Sequence, residues 1–579
     1  MSRQPAAPHR AGLLPPWLAG YQRAWLRDDA VAGGTLAVVL IPQAMAYAVL
    51  AGVPAITGLY AAAAALLAYA LLGSSSQLSF GPFALVSLLT AAAIEPLAGG
   101  DPARAVALAG ALALMVAALH LVMGVLRAGA VINLISHPVV VGFTSAAGLI
   151  IALTQVGDLL GVDVERTDRF VEGLLAAAPA VAEAHAPTVV VALLTLAALL
   201  VGRRYLRRLP VPLLVVVGAI VVSVALDLEA AGVAVVGEVP AGLPRPTLPD
   251  IAVADARAML GPAAVLALVA YAGNVSIAKT VAARTRERVA PNRELLASSA
   301  ANAASGAAGG FPVAGSLSRT AVVHEAGGRT QLAGVVAAVV LLVTLVLLTD
   351  VFEPLPRSVL AAIVVMAVVG LVDVRAVAAT FRVDRLDGAV LLATFVATLV
   401  LGVELGLLIG VTANLGGHLA RGMTPSVIEL GRVQGTTSYR NVERYPTVTD
   451  ERGAILRLDG PLNFLSVEEV TGRLRSLAVT RPELDWLLLD ASGLTGMDST
   501  GVHALRSLQQ DLAEAGVALH LATVRGRQRD VISRAGLWTE LIEGTCHADI
   551  ADALAAIGLD EDALLRRPAP YEVPPDELL

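Results

Sequence analysis

Arg319 lies in the stretch GFPVAGSLSRTAVV (Gly310 to Val323), in a chain whose neighbouring segments are almost wholly apolar. An arginine at bilayer depth costs from about 2.5 to more than 10 kcal/mol, so it is expected to face a wet cavity and a partner. An anion is the natural partner. A second stretch of the same character, LSFGPFALVS (Leu78 to Ser87), lies in the other half of the chain. In both, polar residues, Gly and Pro break the apolar run just where a helix should begin. Such a pair in corresponding positions points to half-helices meeting at mid-membrane in a transporter built from repeats. Helix starts expose unpaired N–H groups and a positive dipole end, so two facing starts make an anion cradle. Ser316 and Ser318 can cap the second start. The structural alternative for Arg319 is an ion pair with Glu325, a turn or two along the chain.

These residues need a membrane scaffold, and the composition supplies one. Of 579 residues, 56% are hydrophobic and 15% charged, and the mean hydropathy is +0.73, beyond the apolar share of soluble domains. Runs long enough to span, at about 20 residues each, recur from near Ala30 to near Leu419. They are placed near Ala30–Leu50, Thr57–Leu72, Pro82–Ile94, Ala103–Leu126, Val139–Leu160, Val189–Val201 and Leu213–Leu226 in the first half. The second half gives Pro262–Ala283, Leu295–Gly309, Ser318–Glu325, Leu332–Leu348, Ser358–Val372, Ala389–Leu401 and Leu405–Leu419. That makes about fourteen, two of them too short to cross alone. After Arg421 the chain turns charged, with mixed strand and helix periodicity, and reads as one soluble α/β domain.

Arginine placement sets the orientation. With the N-terminus in the cytoplasm, the cytoplasmic loops hold Arg127, the cluster Arg203, Arg204, Arg207 and Arg208, the segment Arg284 to Glu294, Arg329, and the segment Arg375 to Arg385. The opposite loops, longer in total, hold Arg104, Arg166, Arg169, Arg245, Arg257 and Arg357. Both termini, and the C-terminal domain, are therefore expected in the cytoplasm. Residues 1–28 lack a continuous apolar core and read as a cytoplasmic arm rather than a cleavable signal. Lys279 and Arg284 fit a snorkelling, orientation-setting role at the end of the eighth span better than substrate contact.

At IPQAMAYAVLAGVPAITGLYAA (Ile41 to Ala62), NRELLASSAANAASGAAGGFPVAGSLSRTAV (Asn292 to Val322) and GGRTQLAG (Gly327 to Gly334), the chain resembles the sulfate permease (SulP) anion transporters with a C-terminal STAS domain. The resemblance covers about Asp28 to about Ile557. It implies an all-α membrane domain in a seven-plus-seven inverted repeat, divided into core and gate domains, plus a cytoplasmic α/β STAS domain. The implied boundaries are an arm over 1–28, a transport domain over 29–421, the STAS domain over 437–557 and a tail over 558–579. It also implies a homodimer in the cytoplasmic membrane, cytoplasmic protein partners for the STAS domain, and substrates such as sulfate, bicarbonate, chloride or dicarboxylates.

Carried over from the family, the anion pocket maps to Gln43, Tyr47, Phe83, Ser318 and Arg319. Gln43 offers an amide donor, Tyr47 and Phe83 polarised ring edges and an apolar wall. Each has a plainer alternative: Gln43 can satisfy a carbonyl freed by Pro42, and the two rings can be helix packing. One departure bears on coupling. Many bacterial members carry a carboxylate six residues before the lysine of the SIAK motif, associated with proton or sodium coupling; here the position is Gly273, followed by Asn274. Glycine cannot take up a proton, so exchange or uncoupled transport is expected, with Glu404 as a substitute coupling site or a structural carboxylate.

In the soluble part, strands are expected near Ala454–Leu458, Trp486–Asp490 and Val517–Thr523. DASGLTGMDSTGVHALRSL (Asp490 to Leu508) resembles the STAS signature loop, whose phosphorylated hydroxyl in signalling relatives would be Ser499. Asp498, Ser499 or Thr500 can instead simply cap the next helix. No metal site is expected, because Cys546 is the only cysteine and the histidines have no ligand spacing. No cofactor loop, nucleophile elbow or nucleic-acid footprint stands out, which argues against an enzyme. A proton- or sodium-coupled symporter, a membrane-tethered STAS regulator, and a nucleobase permease of the same architecture are the competing readings. Gly273 and Arg319 are the wrong chemistry for the last.

Overall fold

The computed structural model describes residues 15, 17, 18, 20–129, 136–164, 167, 169–205, 210–237, 240–244, 246, 248–285, 289–543 and 545–559, with the backbone alone at Ala283 and Arg284. Arg3, Arg10, Arg166, Arg207, Arg208, Arg245 and all of the expected tail except residues 558 and 559 lie outside that set. Two compact units, 1–414 and 415–579, make up the chain.

The first unit is helical. Its first half runs α1 (Leu26–Leu50), α2 (Ala55–Leu72), β1 (Phe80–Gly81), α3 (Ala84–Ala98), α4 (Pro102–Val125), α5 (His137–Thr154), α6 (Val156–Leu160), α7 (Phe170–Ala180), α8 (Ala186–Tyr205) and α9 (Val211–Leu226). After α10 (Val253–Ala258) come α11 (Leu260–Thr285), α12 (Pro291–Ala307), β2 (Ala314–Gly315), α13 (Leu317–Glu325) and α14 (Leu332–Leu347). The unit closes with α15 (Arg357–Val368), α16 (Val374–Val383), α17 (Arg385–Leu401) and α18 (Val403–Met423), the last running on past residue 414. Every expected span is a helix. Eight described helices, some of them continuous with a neighbour, are long and apolar enough to cross a bilayer by length and composition.

Three departures have local causes. The fifth span breaks at Gln155 into α5 and α6. The supposed cytoplasmic loop from Arg375 to Arg385 contains α16, which is amphipathic at helical period and forms the end of the candidate span that begins at Arg357. The arm is not free along its described part: the Trp17 indole donates to the Ala70 carbonyl at 2.7 Å, and Trp17, Tyr21 and Trp25 pack edge to face.

Order repeats between the halves: long helix, second helix, two-residue strand, short helix, as α1–α2–β1–α3 and α11–α12–β2–α13. β1 and β2 pair antiparallel, Phe80 opposite Gly315 and Gly81 opposite Ala314, the opposed direction that an inverted repeat requires. α1 to α4 pack with α11 to α14 as a core domain, while α5, α8, α15 and α17 form the second bundle. Small residues let the core helices close up. A side chain at Gly58 would overlap the Ala44 carbonyl of α1, so α1 and α2 meet backbone to backbone.

The second unit is an eight-stranded sheet flanked by helices. It comprises β3 (Ser426–Val433), β4 (Tyr439–Asn441), β5 (Thr447–Val448), β6 (Gly453–Leu462), α19 (Val467–Thr480), β7 (Trp486–Asp490), β8 (Leu494–Met497) and α20 (Ser499–Glu514). Then follow β9 (Ala518–Ala522), α21 (Gly526–Arg534), α22 (Trp538–Leu541), β10 (Cys546–His547) and α23 (Ile550–Ile557). The order is β10-β9-β7-β6-β3-β4, with β5 on β3 and β8 on β6. The sheet starts at Ser426, ahead of the expected boundary at 437, because β3 pairs antiparallel with β6 from Ser426↔Asp459 to Leu430↔Ile455.

Candidate functional site

The site begins with the β1–β2 ribbon. Gly81 has φ +154, open to glycine, and Arg319 Nη2 lies 3.6 Å from where its side chain would start. Phe80 stacks on Tyr69 with centroids 4.9 Å apart, anchoring the first strand to α2. The second strand is held by amides: Asn274 Oδ1 accepts from Gly315 N at 2.6 Å while its Nδ2 donates to Ser298 Oγ. Asn302 accepts from Val313 N and donates to the Val313 carbonyl. Asn274 and Asn302 are fully buried, so both are structural clamps. Sequence reasoning missed these roles; the signal was buried-type amides in an otherwise apolar, small-residue run.

From this ribbon both half-helices start. Phe83 is the N-cap of α3 and Ser316 the N-cap of α13, and neither side chain bonds to its helix. The expected cap by Ser316 and Ser318 does not form. Their hydroxyls bond each other at 3.1 Å, because the Ser316 backbone is tied to β1 through Ser316 N and the Ser79 carbonyl. Each helix therefore presents its first-turn N–H groups without a side-chain cap.

Arg319 is fully buried. Its Nη1 donates to the Pro82 carbonyl at 2.7 Å, and Nε and Nη2 have no partner. The ion pair with Glu325 is absent. A buried guanidinium with two unused donors is expensive unless something negative completes it.

Of the other mapped residues, Tyr47 is 5% exposed and within electrostatic reach of Arg319. Phe83 is half-buried against the core. Ser318 is exposed, one residue from the buried guanidinium. Gln43 makes no hydrogen bond and its Oε1 is buried without a partner, so it does not repair the carbonyl freed by Pro42. It lines a cavity of about 830 Å³ that reaches α8, α9 and α15.

At the coupling position, Gly273 faces open space, with nothing within 4 Å of a built side chain. Glu404 lies with Oε1 2.8 Å from the same point on Gly261, at the start of α11, away from the ribbon in sequence and exposed. A carboxylate the sequence did not single out is Glu294. It is fully buried in the first turn of α12 and accepts from Tyr69 Oη at 2.9 Å, Ser74 N at 2.9 Å and Ser74 Oγ. Its partners lie more than 200 positions upstream, which no local pattern shows.

In the second unit the signature loop turns from β8 into α20. Asp498 is the cap: Oδ1 accepts from Gly501 N at 2.8 Å, and Oδ2 accepts from Phe464 N at 3.1 Å. Ser499 is exposed at the first helical position. Among the described residues no group of three metal-ligating side chains occurs.

Residues 26–394 match the Sulfate permease family, and residues 439–553 match the STAS domain. The chain belongs to the sulfate permease family. A probable sulfate transporter of Mycobacterium tuberculosis is 37% identical over 538 residues, 93% of this chain and 96% of that protein. The murine Solute Carrier 26 family member A9 anion transporter, in its inward-facing state, superposes with a TM-score of 0.88 at 23% identity over 96% of each chain. The transmembrane domain of a cyanobacterium bicarbonate transporter, BicA, matches with a TM-score of 0.59 at 26% identity, over 68% of this chain and 99% of that one. Family and helices together make this a multi-pass membrane protein with a core-and-gate fold and a C-terminal STAS domain.

Proposed function

We propose that the chain is a secondary transporter of small anions that works by alternating access. The observation that carries this is Arg319: fully buried, with two unpartnered nitrogens, between two helix starts that no side chain caps. A small anion supplies the missing acceptor, and the helix dipoles add to the attraction. Arg319 and Ser318 bind it, Gln43 donates from α1, and Tyr47 and Phe83 wall the site. Movement of the core domain against the gate then exposes it to the other side.

Sulfate is the first anion to test, since the curated relative is named for it, with bicarbonate, chloride and dicarboxylates beside it. Coupling through the eighth span is disfavoured because Gly273 has no side chain to titrate, so exchange or uncoupled flux is proposed. The protein is placed in the cytoplasmic membrane as a homodimer, with both termini and the STAS domain in the cytoplasm. Ser499, exposed at a helix start, is its candidate phosphorylation site, where a phosphate would meet the positive dipole end.

The test is uptake of a panel of radiolabelled anions into proteoliposomes, with the internal counter-anion varied. Uptake stimulated by internal anion and insensitive to a proton gradient is expected. Absence of flux for every anion defeats the carrier reading, and flux strictly driven by inward protons defeats the exchange reading.

A further inference from the structure

Two cavities lie along the border between core and gate helices, and their charges are opposite. The first, about 830 Å³, has Gln43 on its core wall and Arg203 and Arg204, from the last turn of α8, on its gate wall. Its other lining residues, such as Leu199, Val211 and Ile363, carry no charge, and no carboxylate among the described residues borders it. The second, about 640 Å³, lies where α1 ends and α15 begins. It is bordered by Glu95, Asp101, Asp158 and Asp163 against one cation among the described residues, Arg357.

Arg203 and Arg204 are exposed and form no ion pair among the described residues. Fixed positive charge at the mouth of an apolar-walled cleft focuses the field into it and raises the local concentration of anions. Gln43 on the core wall of that cleft lies one helix turn from Tyr47 on α1. Carboxylates at the other mouth act in the reverse sense.

We propose that Arg203 and Arg204 form an anion-steering site that makes loading kinetically one-sided. Anions are gathered at the α8 face and repelled at the acidic one. The effect scales with charge, so a divalent anion is steered more strongly than a monovalent one. This rests on the anion-transport reading, and orientation by arginine placement puts the steering face in the cytoplasm.

The experiment measures half-saturation for labelled sulfate, or for chloride if sulfate is not carried, from each face of oriented proteoliposomes at low and high ionic strength. Wild-type protein should saturate at lower anion concentration from the arginine face, and the advantage should shrink as salt screens it. Arg203→Gln with Arg204→Gln should raise half-saturation on that face about tenfold at low salt, leave the opposite face unchanged and remove most of the salt dependence. Arg203→Lys with Arg204→Lys, which keeps the charge, should behave as wild type.

Removing two positive charges can change membrane orientation, so a C-terminal tag cleaved by external protease reports it. If the double variant misinserts, the single glutamine variants, each expected to shift half-saturation about threefold, carry the test. Equal effects on both faces, or a salt dependence unchanged by the glutamine pair, overturn the proposal and leave anion transport standing. Failure of the wild type to carry any of sulfate, chloride, bicarbonate or a dicarboxylate removes both.

Discussion

Arg319 Nη1 donates to the Pro82 carbonyl at 2.7 Å, so the charged residue of the second half-helix is held by the turn that opens the first. One of its nitrogens is spent on the fold, and Nε and Nη2 are left without a partner. The guanidinium is thus a strut, and in the proposed site a binding group as well.

Arg319→Ala should therefore cost anion affinity and core stability together. A hydrogen bond to a charged group contributes about 1.5–3 kcal/mol, which corresponds to roughly 10–100-fold in affinity. Arg319→Lys keeps the charge but lacks the fork that serves Pro82 and ligand at once, so it should fall between. Equilibrium binding of a labelled anion to purified protein measures the loss, and an alanine variant that binds at the wild-type level refutes the assignment.

Asn274→Ala removes the acceptor for Gly315 N in a buried setting. Leaving such a group unsatisfied costs about 1–3 kcal/mol, so the midpoint of thermal unfolding in detergent should drop and transport should fall with it. An unchanged midpoint with lost transport would instead make Asn274 a ligand of the anion.

Gly273→Glu places a carboxylate into open space on α11, next to the clamp at Asn274. Without a packing clash the variant should fold, and its uptake should become accelerated by an inward proton gradient that leaves the wild type indifferent. Wild-type acceleration of the same size would show that coupling already resides elsewhere.

His520 on β9 and His547 on β10 approach with Nδ1 and Nε2 3.1 Å apart. Burial first, and the charge of His547 second, push the His520 imidazole below its ordinary value. The folded domain then binds fewer protons there than the unfolded chain. Its stabilising contribution is complete above the unfolded value of about 6.5 and is lost as pH falls through the depressed folded one. His520→Gln should flatten this acid loss, read as hydrogen exchange of the β9 amides in the full chain. Equal acid sensitivity in both proteins would exonerate the pair.

Local pattern carried the spans, because each needs only an apolar run of sufficient length, and it marked both half-helices through Gly81, Pro82 and Ser316. It carried the three central strands of the second unit for a similar reason, their largely apolar runs. It could not show Glu294 as a buried carboxylate, since Tyr69 and Ser74 meet it only after α2 and α12 pack. Nor could it tell that Ser316 and Ser318 spend their hydroxyls on each other, because that depends on the backbone tie between Ser316 and Ser79. β3 escaped notice since its pairing with β6 is what identifies it.

The pairing of Phe80 with Gly315 and Gly81 with Ala314 binds the two halves of the chain at their most delicate point. Neither half could be transplanted into a relative, or evolve a new opening turn, without the other adjusting in step. A segment swap that replaces one strand and keeps the other should yield a protein that reaches the bilayer yet holds no substrate.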